Sequence, residues 1–306
     1  MRLTLTLACS MALLAPAAFA DPITVNDGTH EITLPDTPTR VVALEFSFVD
    51  ALASVAVSPV GVADDNDITR LPQAIRDITG PWTSVGLRGQ PSIEDIAALS
   101  PDLIIADLDR HAAAYDALSA IAPTLLLPSR GEDYADSLKS ARLIGEAVGK
   151  TPQMDARLTQ HAAIMQDYAT QMQALVTPGT TVIFGAARED SLSLHGPDSY
   201  DGSVLAALGL TVPAIRDGGD AYEFASIEQL LALDPDYLLV GHYRRPSIID
   251  QWSSAPLWNV LKAAQAEGHV VSVDSNVWAR NRGIMAAERI ADDALHILQG
   301  TFAEVE

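Results

Sequence analysis

Arginine carries most of the chemistry this sequence can do. Beyond residue 20 the chain has 15 arginines and three lysines, and Arg110, Arg130, Arg188, Arg244, Arg245, Arg280 and Arg282 each fall within a few residues of the end of an apolar, β-branched run. Arg88 falls just before a helical pattern. A guanidinium stays charged when partly desolvated and grips a carboxylate through two parallel N–H···O bonds. Several such forks in one crevice suit a polycarboxylate, whereas one alone on the surface is an ion pair worth about 0–1 kcal/mol. The chain as a whole has the opposite sign: Asp+Glu 40 against Lys+Arg 19 give a formal charge of −21. That balance argues against nucleic acid and anionic membranes as partners. Cations gathered at one place in such a chain point to a small anion.

Other residues could complete a site of this kind. Ser47 opens a helix after the first expected strand, so it can offer a hydroxyl and backbone N–H groups or serve simply as an N-cap. Tyr243 and Trp278 could wall a crevice, while Tyr222 is better read as a core or rim aromatic. Glu94 and Glu228 lie inside Ser-x-x-Asp and Ser-x-x-Gln capping patterns. They either favour the dipoles of their helices or present one acid per lobe to a partner with two basic pockets.

Chemistry of this kind needs elements that bring distant loops together. Apolar runs begin at Arg40, Leu103, Thr124, Thr181, Tyr237 and Val270 and alternate with helical patterns. That alternation is the mark of mostly parallel α/β sheets, whose ligand crevice lies beyond the carboxyl ends of the strands. The segment 91–106 also repeats at 225–240, an offset of 134, as helix, Pro-Asp turn and strand. Between the copies, Met154, Leu158, His161, Met165, Tyr168, Met172 and Leu175 recur at spacings of four and three. This stripe predicts one helix of about 23 residues, roughly 35 Å long. The expected architecture is two Rossmann-like α/β lobes joined by one long rigid helix: residues 21–150, the helix over 151–176, and residues 177–306.

Several familiar signatures are tested and fail. Gly145 and Gly149 have three residues between them where a phosphate loop needs four, so Gly149 reads as a helix C-terminal glycine. The G-x-S-x-G, H-E-x-x-H and G-x-G-x-x-G patterns are missing from the sequence. His30, His161 and His296 read as surface or helix-face residues, and Asp64, Asp65 and Asp67 as a solvated acidic loop. At the N-terminus, Arg2, an apolar run to Phe19 and the exit Ala18-Phe19-Ala20 form an export signal cut after Ala20. Cys9, the single cysteine, lies inside it, so the mature chain has no thiol chemistry.

Residues 41–52, 62–67, 84–94, 103–107 with Arg110 and His111, and 273–280 together resemble the siderophore-binding class of ABC-transporter substrate-binding proteins, in particular its ferric dicitrate-binding members. The resemblance implies a class III periplasmic binding protein fold of the helical-backbone metal-receptor type. It implies ferric citrate in the interlobe cleft and delivery to an inner-membrane permease with its cytoplasmic ATPase, docked through Glu94 and Glu228. The ligand-binding set expected on this basis is Ser47, Arg88, Arg110, Arg130, Arg188, Tyr243, Arg244, Trp278, Arg280 and Arg282. Iron would be held by the chelator's oxygens, with no metal ligand from the protein and no cofactor. A monomeric, non-enzymatic periplasmic receptor is expected. A hydroxamate or catecholate receptor is the nearest alternative, and a periplasmic α/β hydrolase a more distant one.

Overall fold

A computed structural model describes residues 22–216 and 220–304. The expected export signal, its expected cut after Ala20 and Cys9 therefore lie outside the described residues. No described helix is long and apolar enough to cross a membrane.

The first lobe is built on strands β1 (Val41–Ala43), β2 (Gly61–Val62), β3 (Thr83–Ser84), β4 (Leu103–Asp107) and β5 (Thr124–Leu127). They pair in the order β3-β2-β1-β4-β5, all parallel. Every residue of β1, β4 and β5 is buried, which is why these segments read as unbroken apolar runs. The second lobe holds β6 (Val182–Ala187), β7 (Leu192–His195), β8 (Tyr222–Ala225), β9 (Tyr237–His242) and β10 (Val270–Val273) in the order β8-β7-β6-β9-β10. Here β6, β9 and β10 are parallel, but β7 and β8 form an antiparallel edge. Only Arg188 to Ser191 separates β6 from β7, too short for a crossover, so the chain folds back as a hairpin with Arg188 N–H donating to the Ser191 carbonyl at 2.8 Å.

The sequence repeat becomes a structural one. Helix α2 (Ile93–Ala98) leads into β4 beside β1, and helix α6 (Ile227–Leu233) leads into β9 beside β6. Ser92 caps the first helix through Asp95 N–H, and Ser226 with Gln229 closes a complete capping box on the second. Gly149 follows α3 (Tyr134–Ala147) at φ +65°, a left-handed stop that favours glycine.

Helix α4 spans Thr151–Gln173, 23 residues, and Leu175 falls beyond it, exposed. Met154 and Leu158 pack into the core under the first sheet, and Met165, Tyr168 and Met172 into the core of the second lobe. Helix α7 (Ile284–Gln299) does the same, with Ile284 and Met285 in the first core and Ala287, Ile290 and Ala294 in the second. Helix α4 thus joins the lobes as the sequence predicts, and α7 packs alongside it and bridges the same two cores. Arg157 on α4 forks onto Glu288 on α7 at 2.7 and 2.8 Å, and Tyr168 donates to Asp292 at 3.1 Å. His161, expected on a helix face, is fully buried between them, with Nδ1 2.8 Å from Glu288. Asp50, buried on α1 (Phe46–Ser54), accepts the N–H groups of Met285 and Ala286 at 3.0 Å, which fastens the start of α7 to the first lobe.

Candidate functional site: an arginine-lined cleft

The carboxyl ends of both sheets face a cleft of about 450 Å³. Arg70, Arg88, Arg110 and Arg130 line it from the first lobe, and Arg188, Arg280 and Arg282 from the second.

Buried acids position the first set. The Asp65 carboxylate accepts Arg88 Nε at 3.0 Å, Arg88 Nη2 at 2.9 Å and Arg70 Nη1 at 2.8 Å, while its other oxygen accepts the Arg88 backbone N–H at 2.8 Å. Burial alone would push this carboxyl up, but the two guanidinium groups outweigh burial and hold it below the usual range. Asp65 is partly buried; Asp64 is buried and accepts Trp82 Nε1 at 3.0 Å. Of the run Asp64 to Asp67, Asn66 and Asp67 are exposed as expected, but Asp64 and Asp65 are not a solvated loop: Asp65 is the acid that aims Arg70 and Arg88. Glu45, buried just after β1, lies 3.4 Å from Arg88 Nη1 and 3.1 Å from Arg110 Nε. Its carboxyl is raised by burial, against the pull of both arginines.

Asp107, at the end of β4, accepts the backbone N–H groups of Arg110, Ser129 and Arg130 at 2.7, 2.9 and 3.0 Å. One carboxylate thus sets two arginine-bearing loops. His111 Nδ1 accepts the Asp107 N–H at 2.9 Å, so its Nε2 carries the proton and donates to the Arg88 carbonyl at 2.7 Å. Glu132, buried nearby, has neither oxygen hydrogen-bonded to the protein, and burial pushes its carboxyl up to about 10.

Aromatic rings position the second set. The Arg280 guanidinium lies 3.9 Å from the Tyr243 ring centre and that of Arg188 lies 4.8 Å from it. Arg282 lies 5.9 Å from the Tyr222 ring. Arg280 ends a π-helical turn over Asn276–Arg280, closed by Asn281 N–H on the Asn276 carbonyl at 3.0 Å. The Asn281 side chain donates to the Arg70 carbonyl at 3.0 Å, a direct tie across the cleft. Ser193, His195 and Tyr222 enter from the antiparallel edge. Residues Ser193 and Phe224 pair across β7 and β8, as do His195 and Tyr222, so these side chains share one face of the sheet.

A model of the periplasmic binding protein family matches residues 41–277. The chain belongs to that family. It is 53% identical over 285 residues to the Fe(3+) dicitrate-binding periplasmic protein FecB of Escherichia coli, covering 93% of each chain. It is 37% identical to the Fe(3+)-citrate-binding protein YfmC of Bacillus subtilis, over 90% of this chain and 85% of that one. Among solved structures, Staphylococcus aureus SirA complexed with staphyloferrin B matches with a TM-score of 0.78 at 22% identity, covering 90% of this chain and 98% of that one. The last of these supports the fold, two α/β lobes on a helical backbone.

In this periplasmic binding protein the expected ligand set is mostly brought together, with three departures. Arg88, Arg110, Arg130, Arg188, Tyr243, Arg280 and Arg282 all line the cleft. Ser47 does not: it is the second residue of α1, behind Glu45 as N-cap, and its hydroxyl is spent on Ser129 at 2.7 Å. Trp278 is no wall. It is 1% exposed, stacks on Phe184 at 5.5 Å and donates to Asp293 at 3.0 Å, because the π-turn points it into the second core. Arg244 is 79% exposed and reaches only Glu189, at 3.5 Å, outside the central cleft. Arg245 pairs with Asp250 and Ser272 instead. Conversely Tyr222, read as core or rim, lines the cleft, and sequence reasoning missed Arg70, Ser193 and His195. Glu94 and Glu228 are exposed in the first turns of α2 and α6.

Proposed function

We propose that this binding protein captures a citrate-type ferric chelate between its lobes and hands it to the permease of an ABC transporter with its cytoplasmic ATPase. One observation carries the reading: seven arginines converge on a cleft of about 450 Å³ in a protein of formal charge −21. The names of FecB and YfmC, which specify ferric citrate, support it. In this reading citrate oxygens fill the iron's coordination, and the guanidinium forks meet the chelate's outer carboxylates. The protein needs no cofactor and performs no reaction. It works in the periplasm as a monomer after cleavage behind Ala20, and Glu94 and Glu228 each dock one permease subunit. The paired helices α4 and α7 keep the lobes near their loaded arrangement, so binding sacrifices little conformational freedom.

Equilibrium dialysis of radioactive ferric iron in excess citrate tests the cargo. One equivalent retained, with a ferric hydroxamate passing freely, is expected; retention of the hydroxamate alone overturns the citrate reading. The double variant E94A/E228A keeps that retention and loses uptake in cells, whereas loss of retention would place the two acids in the ligand site instead.

A further inference from the structure

His195 lines the cleft yet is only 5% exposed. Its Nδ1 lies 2.7 Å from Asp201 Oδ1. A carboxylate can only accept, so the neutral ring keeps its proton on Nδ1 and leaves Nε2 as a bare lone pair. Among the described residues that Nε2 makes no hydrogen bond, and the ring lines the cleft. A lone pair directed at an anionic cargo repels it; the same nitrogen, once protonated, donates to it.

We propose that chelate binding protonates His195, so that the His195–Asp201 dyad couples cargo affinity to pH. The inference rests on the cleft being a polycarboxylate-chelate site. The groups that face His195 explain why protonation follows loading. Asp201, buried on α5 (Tyr200–Ala207), is already the partner of Nδ1, and its second oxygen is buried without a partner, so it favours an imidazolium. Tyr222 on β8 stands edge-on at 4.6 Å and Phe184 on β6 at 4.8 Å, neither adding charge at neutral pH. Arg282 beyond Tyr222, with Arg188 and Arg280 in the same cleft, opposes a further cation while the cleft is empty. A bound anion cancels that opposition. On this proposal loading adds a proton at Nε2, so binding takes up that proton and affinity falls as pH rises.

Isothermal titration of the whole protein with ferric citrate, in buffers of different ionisation enthalpy at pH 7.5, measures the protons exchanged. Wild type should take up close to one proton more per chelate than H195Q, a difference that cancels protons exchanged by the chelate itself. The affinity advantage of wild type over H195Q should shrink by up to about tenfold per pH unit as pH rises. Nitrogen NMR of the wild-type imidazole with diamagnetic gallium citrate needs no variant, and should show both ring nitrogens protonated in the loaded form. Equal proton counts in the two proteins, or a neutral loaded ring, overturn the proposal while leaving the cargo reading intact. Failure of wild type to bind ferric citrate at all overturns both.

Discussion

On the first-lobe wall Arg70, Arg88 and Arg110 stand on carboxylates, with Arg88 also 3.9 Å over the Phe46 ring, whereas on the second-lobe wall Arg188 and Arg280 stand on the face of Tyr243 without a carboxylate partner among the described residues. A carboxylate fixes a guanidinium firmly and cancels part of its charge. An aromatic face supports the planar fork and leaves its charge and most of its N–H groups available. The first lobe accordingly supplies a rigid, preset frame, and the second supplies most of the uncompensated cationic field. Both walls descend from similar lobes, so the difference lies in what each loop places behind its arginine.

The largest effect that would break this comparison is on stability. Replacing Arg88 with alanine leaves Asp65 and Glu45 short of a buried partner, which should cost about 3–5 kcal/mol in urea unfolding. A loss under about 1 kcal/mol would show that the acid frame is not structural. R280A should do the reverse. It removes charge-assisted bonds to the cargo, worth about 1.5–3 kcal/mol or roughly ten- to hundredfold in affinity, while the unfolding midpoint hardly moves.

Smaller effects sharpen the same contrast. Y243L removes the ring beneath two guanidinium groups and should weaken binding by about two- to thirtyfold, on the order of 0.5–2 kcal/mol, with Y243F close to wild type. A Y243F loss equal to that of Y243L would assign the effect to the hydroxyl. E132Q should leave affinity within about twofold at pH 7, because Glu132 is already a neutral acid there. Its signature is in stability. The folded protein keeps a proton that the unfolded chain releases near 4.5, so wild type loses stability as pH rises from about 4.5 toward about 10. The E132Q profile should be flatter across that window, and an unchanged slope would mean Glu132 is ionised in the folded state.

Much of the frame was legible because it rests on long-range periodicity. The stripe from Met154 to Met172 could only be one amphipathic helix, and the 91–106 and 225–240 copies could only be the same unit used twice. Arginines after buried strands were legible for the same reason, since strand ends locate the crevice. What failed depended on local turns. Arg110 and Arg244 occupy the same slot of the repeat, but Asp107 caps a helical turn that carries Arg110 into the cleft, while after β9 Tyr243 takes the inward place and Arg244 faces solvent. Trp278 was misplaced by a π-turn that no side-chain pattern announces. The antiparallel edge, with His195 and Tyr222, was hidden because each strand is four residues long and too short for a clear alternation. Asp65 and Asp64 looked solvated because a charge run normally is; only the fold shows that Arg70, Arg88 and Trp82 close over them.

The central claim is that cationic charge, arranged on two different foundations, selects the cargo. Trp278 lies beside cleft-lining Ala279 and stacks on Phe184, whose ring also meets His195, so its fluorescence reports on the cleft floor. Titration of the mature protein with ferric citrate in excess citrate, in parallel with an uncharged ferric hydroxamate, is the most direct test. Saturable quenching by ferric citrate at micromolar levels or below, with the hydroxamate silent, is the predicted result. Equal or tighter binding of the uncharged chelate would contradict it.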